Sequence, residues 1–135
     1  MAENNIDFSR LRVLIIEDDY HLRQVIKLAF SQLRCNRVLE ASDGERGIEV
    51  YKVAAEQLDV IVCDLNMPVL DGYGFVRHVR QNMDQRAKDI PIIILTATKP
   101  TEGVVKPLAE LGVQGYLVKP VTAGALKKQI TRALS

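Results

Sequence analysis

Three consecutive acids, Glu17-Asp18-Asp19, close the apolar run Arg12-Val13-Leu14-Ile15-Ile16, and a fourth, Asp64, closes Val60-Ile61-Val62-Cys63. Two further apolar runs end in Thr96-Ala97 and in Lys119-Pro120. Crowded carboxylates repel one another, which raises a pKa or recruits a cation. A hard cation such as Mg2+ takes oxygen ligands, commonly one or two carboxylates together with phosphate oxygens and water. A lysine supplies a mobile positive charge and a threonine a hydroxyl donor, and both suit phosphate. Cation, lysine and positioned carboxylate are the parts that an aspartate nucleophile needs to accept a phosphoryl group in line. These residue types therefore suit forming and holding an aspartyl phosphate, provided that the fold brings them together.

A parallel sheet does so, because it places the C-terminal end of every strand on one edge, where ligands bind in open α/β folds. Five short runs read as strands: Arg12 to Ile16, Arg37 to Ala41, Val60 to Asp64, Pro91 to Leu95 and Gly115 to Val118. Helical spacings stand between them. Leu22, Val25, Ile26, Ala29 and Leu33 predict an amphipathic helix from about Asp19 to Arg34, capped by Asp19. Ile48, Tyr51, Ala55 and Leu58 predict a second after the Asp43-Gly44 turn. Phe75, Val76, Val79 and Met83 line a third, entered through the turn from Pro68 to Gly72, and Ala123, Leu126, Ile130 and Leu134 pattern the last. Gln81 to Asp89 is polar and is expected to be a solvated helix end and loop. Before the fifth strand, Val104, Val105, Leu108 and Leu111 have helical spacing with Thr101 as cap. Pro107 lacks an N–H and restricts Lys106, so this helix is expected to be short, kinked, or to start near Lys106. The alternation predicts an α/β fold, a doubly wound five-stranded parallel sheet with helices on both faces and right-handed crossovers.

At 135 residues the chain is expected to be one domain over residues 11–135, behind a flexible extension over residues 1–10. Charged residues make up 26% and nearly cancel, to +1, so no overall field draws the chain to nucleic acid or anionic lipid. Cys35 and Cys63 have neither metal-ligand nor redox spacing and read as reduced residues of a cytoplasmic protein. No apolar run approaches the length of a bilayer span, and Met1 to Arg10 lacks a signal peptide's apolar core. No direct nucleic-acid partner and no membrane partner are expected.

Ile16-Glu17-Asp18-Asp19, then Asp64 with Met67-Pro68 and Asp71-Gly72, then Thr96-Ala97, Tyr116 and Lys119-Pro120 follow one another along the chain. In these motifs the stretch from Arg12 to Leu134 resembles the receiver domains of two-component response regulators, whose simplest member is the stand-alone chemotaxis regulator. The resemblance implies the flavodoxin-like strand order 2-1-3-4-5. It also implies that Asp64 is the phosphoacceptor, that Asp18 binds Mg2+ directly with Glu17 beside it through water, and that Asn66 lends its backbone carbonyl to the metal. Thr96 and the backbone N–H of Ala97 would donate to phosphoryl oxygens, Lys119 would pair with the phosphoryl group, and Thr96 with Tyr116 would form the switch. The Lys119-Pro120 peptide is expected to be cis. A histidine kinase or histidine phosphotransfer protein would be the donor, and an unidentified protein the target. Asp19 and Asp71 are expected to cap helices, and His21 to be solvated or to face a partner.

Rival readings remain on the residues alone. A phosphatase that passes through an aspartyl phosphate resembles Asp-X-Asp, whereas Asn66 stands where its second acid would serve as general acid and base. An inactive receiver would use the same fold only as a binding module. A flavodoxin-like electron carrier needs a phosphate-cradling loop after the first strand, where this chain has three acids. Gln114-Gly115 replace the acids that dimerising family members carry before the switch aromatic, which, with Pro107, argues against their dimer face. A stand-alone regulator or phosphorelay shuttle acting by protein contact is expected.

Overall fold

The structure, a computed structural model, describes residues 6–99 and 101–135. Strands β1 (Arg12–Ile16), β2 (Arg37–Ala41), β3 (Val60–Asp64), β4 (Ile92–Thr96) and β5 (Gly115–Val118) form one parallel sheet in the order β2-β1-β3-β4-β5. The fold class and strand order are those expected. Alternation along the strands sends Val13, Ile15, Val62, Ile93 and Leu95 to one face and Leu14, Ile16, Ile61, Ile92 and Ile94 to the other. All ten are fully buried, so both faces need cover.

Helices α1 (Tyr20–Gln32) and α6 (Ala123–Ala133) cover the first face through Ile26, Phe30, Leu126 and Ile130. The second is covered by α2 (Gly44–Ala54), α3 (Gly72–Arg80) and α5 (Glu102–Glu110), through Tyr51, Phe75, Val76 and Leu108. Each such side chain contributes about 1.5–3 kcal/mol by leaving water, which is why the helices are held to the sheet. Tyr51 brings a polar atom into this layer, and its hydroxyl donates to the Ala87 carbonyl at 2.7 Å. Aspartates start the helices. Asp19, Asp43 and Asp71 accept from the N–H groups of Leu22, Arg46 and Gly74, each cap being worth about 1 kcal/mol. Among the described residues no helix is long and apolar enough to cross a membrane.

Several local expectations are corrected. The helix before β5 does not start near Lys106, because α5 runs unbroken from Glu102 through Pro107 to Glu110. The missing proline N–H deprives only the Gly103 carbonyl, on an exposed first turn where water can replace it, while Leu108 anchors the helix in the core. The polar stretch Gln81 to Asp89 is not all loop, since a single-turn helix, α4 (Gln85–Lys88), forms in it, capped by Asp84 and tied down by buried Ala87. Met83 does not line α3, which ends at Arg80, and its side chain is fully exposed. Val25 is also largely exposed, so the buried stripe of α1 is narrower than its apolar pattern. Phe8–Arg10 form a short 3-10 turn whose Phe8 is buried in the first-face core. Residues 1–5 lie outside the described ones.

Candidate functional site

The C-terminal ends of β1, β3, β4 and β5 meet at one edge, where the residues at or just after them cluster. Glu17 extends the pairing of β1, its N–H donating to the Ala41 carbonyl at 3.1 Å. Its side chain turns inward and accepts from the Asp19 N–H at 3.1 Å. Glu17 is 1% exposed, Asp64 3% and Thr96 5%, whereas Asp18 is open to solvent. Carboxylate oxygens of Glu17, Asp18 and Asp64 all lie within 4.8 Å of one another. The Lys119 Nζ reaches in from β5, 3.1 Å from Glu17 Oε1 and 3.2 Å from Asp64 Oδ2. Its backbone N–H donates to the Thr96 carbonyl at 2.8 Å, and the following Lys119-Pro120 peptide is cis, as expected.

One ammonium pairs with two of the three carboxylates. Burial pushes the Glu17 carboxyl up to about 7; the Asp64 charge and hydrogen bonds shared with Asp18 and Asp64 push the same way, against the Asp19 N–H. Burial would lower the Lys119 ammonium, yet the charges of Asp64 and Glu17 outweigh it and hold the pKa above its ordinary value. Glu17 Oε1 is buried and ion-paired but accepts no aligned hydrogen bond. An unsatisfied buried oxygen beside two further carboxylates is the arrangement that a divalent cation with oxygen ligands satisfies. The donor set therefore fits Mg2+.

The loop after β3 supplies the floor. The Asn66 N–H points at Asp64 Oδ1, 3.4 Å away. Leu70 N–H donates to Pro68 O at 2.8 Å around Val69, whose φ of 70° makes a three-residue turn unusual for a β-branched residue. Gly72 closes this loop against the strand. A Cβ there would lie 2.5 Å from the Asp64 carbonyl oxygen, so glycine alone fits. Thr96 has its hydroxyl turned to the Thr98 carbonyl, at 2.9 Å. Ala97 follows at the exposed start of the next loop. Tyr116 is half-buried against the second-face core, with its hydroxyl donating to the Val105 carbonyl of α5 at 3.3 Å. His21 is exposed, its ring edge-on to Tyr20 and outside the acid cluster. Asp19 and Asp71 cap α1 and α3, as expected.

Two residues here have no counterpart in the sequence reading. Thr98 is the acceptor for the Thr96 hydroxyl, and its only prior signal is adjacency. Glu40, on β2, pairs with Arg23 and Lys27 at 2.9 Å each. An acid directly after the apolar Val38 and Leu39 of β2 was the available clue.

The stretch 13–131 matches the response regulator receiver domain family. The chemotaxis protein CheY-3 of Vibrio cholerae is 31% identical over 122 residues, which cover 90% of this chain and 90% of that protein. The solved structure of the chemotaxis response regulator CheY4 of Vibrio cholerae has a TM-score of 0.80 at 32% identity, covering 92% of this chain and 98% of that one. The receiver domain of the sensor histidine kinase PA1611 of Pseudomonas aeruginosa, solved with a magnesium ion coordinated in its active site cleft, has a TM-score of 0.74 at 30% identity, over 92% and 97%. By sequence, strand order and these likenesses, the chain belongs to the response regulator receiver domains of two-component signalling.

Proposed function

We propose that residues 11–135 form a phospho-accepting receiver in which Asp64 takes a phosphoryl group from the phosphohistidine of a histidine kinase or histidine phosphotransfer protein. Convergence carries this reading: Asp64 is nearly buried, 3.2 Å from the Lys119 ammonium and within 4.8 Å of two further carboxylates. A carboxylate oxygen of Asp64 bonds to phosphorus as the phosphorus–nitrogen bond of the donor breaks, and the imidazole leaves with the electron pair and takes up a proton. Asp18, Asp64 and the backbone carbonyl of Asn66 would hold Mg2+, with Glu17 beside it through water. The bound ion would neutralise charge on the incoming phosphoryl oxygens. Lys119, now paired with Glu17 and Asp64, would pair with those oxygens.

The product adds about −1.5 to −2 charges at the strand end. Thr96 exchanges its bond to Thr98 for one to a phosphoryl oxygen, and the Ala97 N–H donates to another. Tyr116, loosely tied to α5 through its hydroxyl, follows into the space that Thr96 leaves. Moving a two-state switch from mostly off to mostly on takes about 5.5 kcal/mol. Charge-assisted hydrogen bonds of about 1.5–3 kcal/mol each, from Thr96 and Lys119, supply that order of energy. The altered surface around β4, β5, α5 and α6 then meets the target protein. Receiver domains are signalling phosphoacceptors rather than turnover enzymes, and Asn66, whose amide cannot relay the proton that hydrolysis needs, favours that role here over a phosphatase. Cys35 and Cys63 are free and buried, which suits the cytoplasm as the place of action.

Incubation with acetyl phosphate and Mg2+ is expected to add a single phosphoryl group per chain, read by intact mass. Chelating the metal with EDTA should abolish the uptake. Undiminished uptake without a divalent ion would count against the acid pocket as the reacting site.

A further inference from the structure

We infer that Arg23 is the positioning residue that holds the Glu17-Asp18 turn in its metal-binding shape, with Glu40 of β2 as its anchor. This rests on the phosphoacceptor reading above and assigns work to two residues outside the recognised motifs. Arg23 lies one turn into α1 with its side chain 13% exposed, so it is not a solvated surface cation. Nη1 donates to the Glu17 carbonyl at 2.7 Å and Nε donates to Glu40 Oε1 at 2.9 Å. The guanidinium lies over the Tyr20 ring, 5.4 Å from its centre, which fixes the plane of the fork. Glu40 is held in turn, because Gln24 Nε2 donates to Oε1 at 3.2 Å and Lys27 Nζ sits 2.9 Å from Oε2.

The consequence is geometric. Glu17 is gripped on both sides, its N–H by the Ala41 carbonyl and its own carbonyl by Arg23. That carbonyl belongs to the peptide joining Glu17 to Asp18, so rotation of this peptide would swing the Asp18 side chain relative to Glu17 and Asp64. The mutual spacing of the three carboxylates, within 4.8 Å, depends on that peptide staying fixed. A planar fork can bond a carbonyl and a carboxylate at once, whereas a lysine ammonium is a single point on a flexible stem. Residues that orient metal ligands from behind typically change metal affinity by about 10–100-fold when removed.

The test is calorimetric titration of Mg2+ into the full chain and its variants, at a temperature where thermal melts show each one folded. Arg23→Ala is expected to weaken Mg2+ binding about tenfold, and Arg23→Lys to recover only part of that. Glu40→Gln should weaken it less, and the double variant Arg23→Ala with Glu40→Gln should be no worse than Arg23→Ala alone, since both act along one path. Arg10→Ala is the control: it breaks an exposed ion pair with Asp7 and touches none of Arg23, Glu40 or Glu17, so it should leave Mg2+ affinity unchanged. Arg23→Ala binding within about twofold of the wild type, whatever its melting temperature, would overturn the positioning role while leaving the phosphoacceptor intact. Failure of the wild type itself to bind Mg2+ would overturn the reading beneath it as well.

Discussion

Asp64→Asn should reduce phosphoryl uptake from acetyl phosphate to background while leaving the chain folded. The amide oxygen that replaces the carboxylate carries no negative charge and cannot form an acyl phosphate. A loss of at least about a thousandfold in rate is expected, roughly 4 kcal/mol of barrier. Stability is the informative control. Asp64 is ion-paired with Lys119 at 3.2 Å, and breaking a buried pair ordinarily costs about 3–5 kcal/mol. Here Lys119 keeps Glu17 at 3.1 Å, and the deleted charge is one of three packed together. Relief of their repulsion offsets the lost pair, so in metal-free solution the variant should melt at or above the wild-type temperature. Mg2+ should at the same time bind more weakly and stabilise the variant less. A variant that took up phosphate at the wild-type rate would remove Asp64 from the mechanism.

Arg80→Ala should be the most damaging change to the fold outside the apolar core. Arg80 ends α3 at the edge of the sheet opposite the acids, half-buried and without a carboxylate in ion-pair reach among the described residues. Its donors go to carbonyls instead: Leu111 at 2.7 Å, Lys88 at 2.7 Å, Ile90 at 2.8 Å and Gly112 at 3.0 Å. Thus one guanidinium ties α3 to α4, to the entry of β4 and to the end of α5. Hydrogen bonds from a charged donor contribute about 1.5–3 kcal/mol each, though the exposed carbonyls would recover much of that from water. A net loss of about 3 kcal/mol, near 10 °C in melting temperature for a chain this size, is the expected result of thermal denaturation. Arg80→Lys should not rescue it, because a single ammonium cannot span four acceptors. Mg2+ affinity of the folded variant should be unchanged, which separates this staple from the pocket. A loss below about 1 kcal/mol would mean that water serves these carbonyls as well as Arg80 does.

The acids, Thr96 and Lys119 were legible because each closes an apolar run, and parallel strands leave their ends no choice of edge. Asp19 and Asp71 were legible as caps because their position before an apolar periodicity has a local cause. What escaped was longer in range or overridden by packing. Arg23 and Arg80 act on backbone carbonyls far along the chain, and neither periodicity nor spacing encodes such a contact. Pro107 obeys the local rule, losing one bond, but the burial of Leu108 at 1% exposure outweighs it. Met83 and Val25 remind us that an apolar residue in a helical pattern can face water. Gln114, read in the sequence as a missing dimer acid, is exposed, yet its Oε1 accepts from the Ile92 N–H at 2.8 Å and from Arg80 Nη2 at 3.3 Å.

The buried carboxylate closing β3 is proposed to be the group that carries phosphate. Chains treated with acetyl phosphate and Mg2+, then with borohydride, which reduces an acyl phosphate to an alcohol, can be cleaved and their peptides sequenced by mass spectrometry. The reduced side chain is expected at Asp64 and nowhere else. Modification at Asp18 or Glu17, or a phosphoryl group on His21, would contradict it.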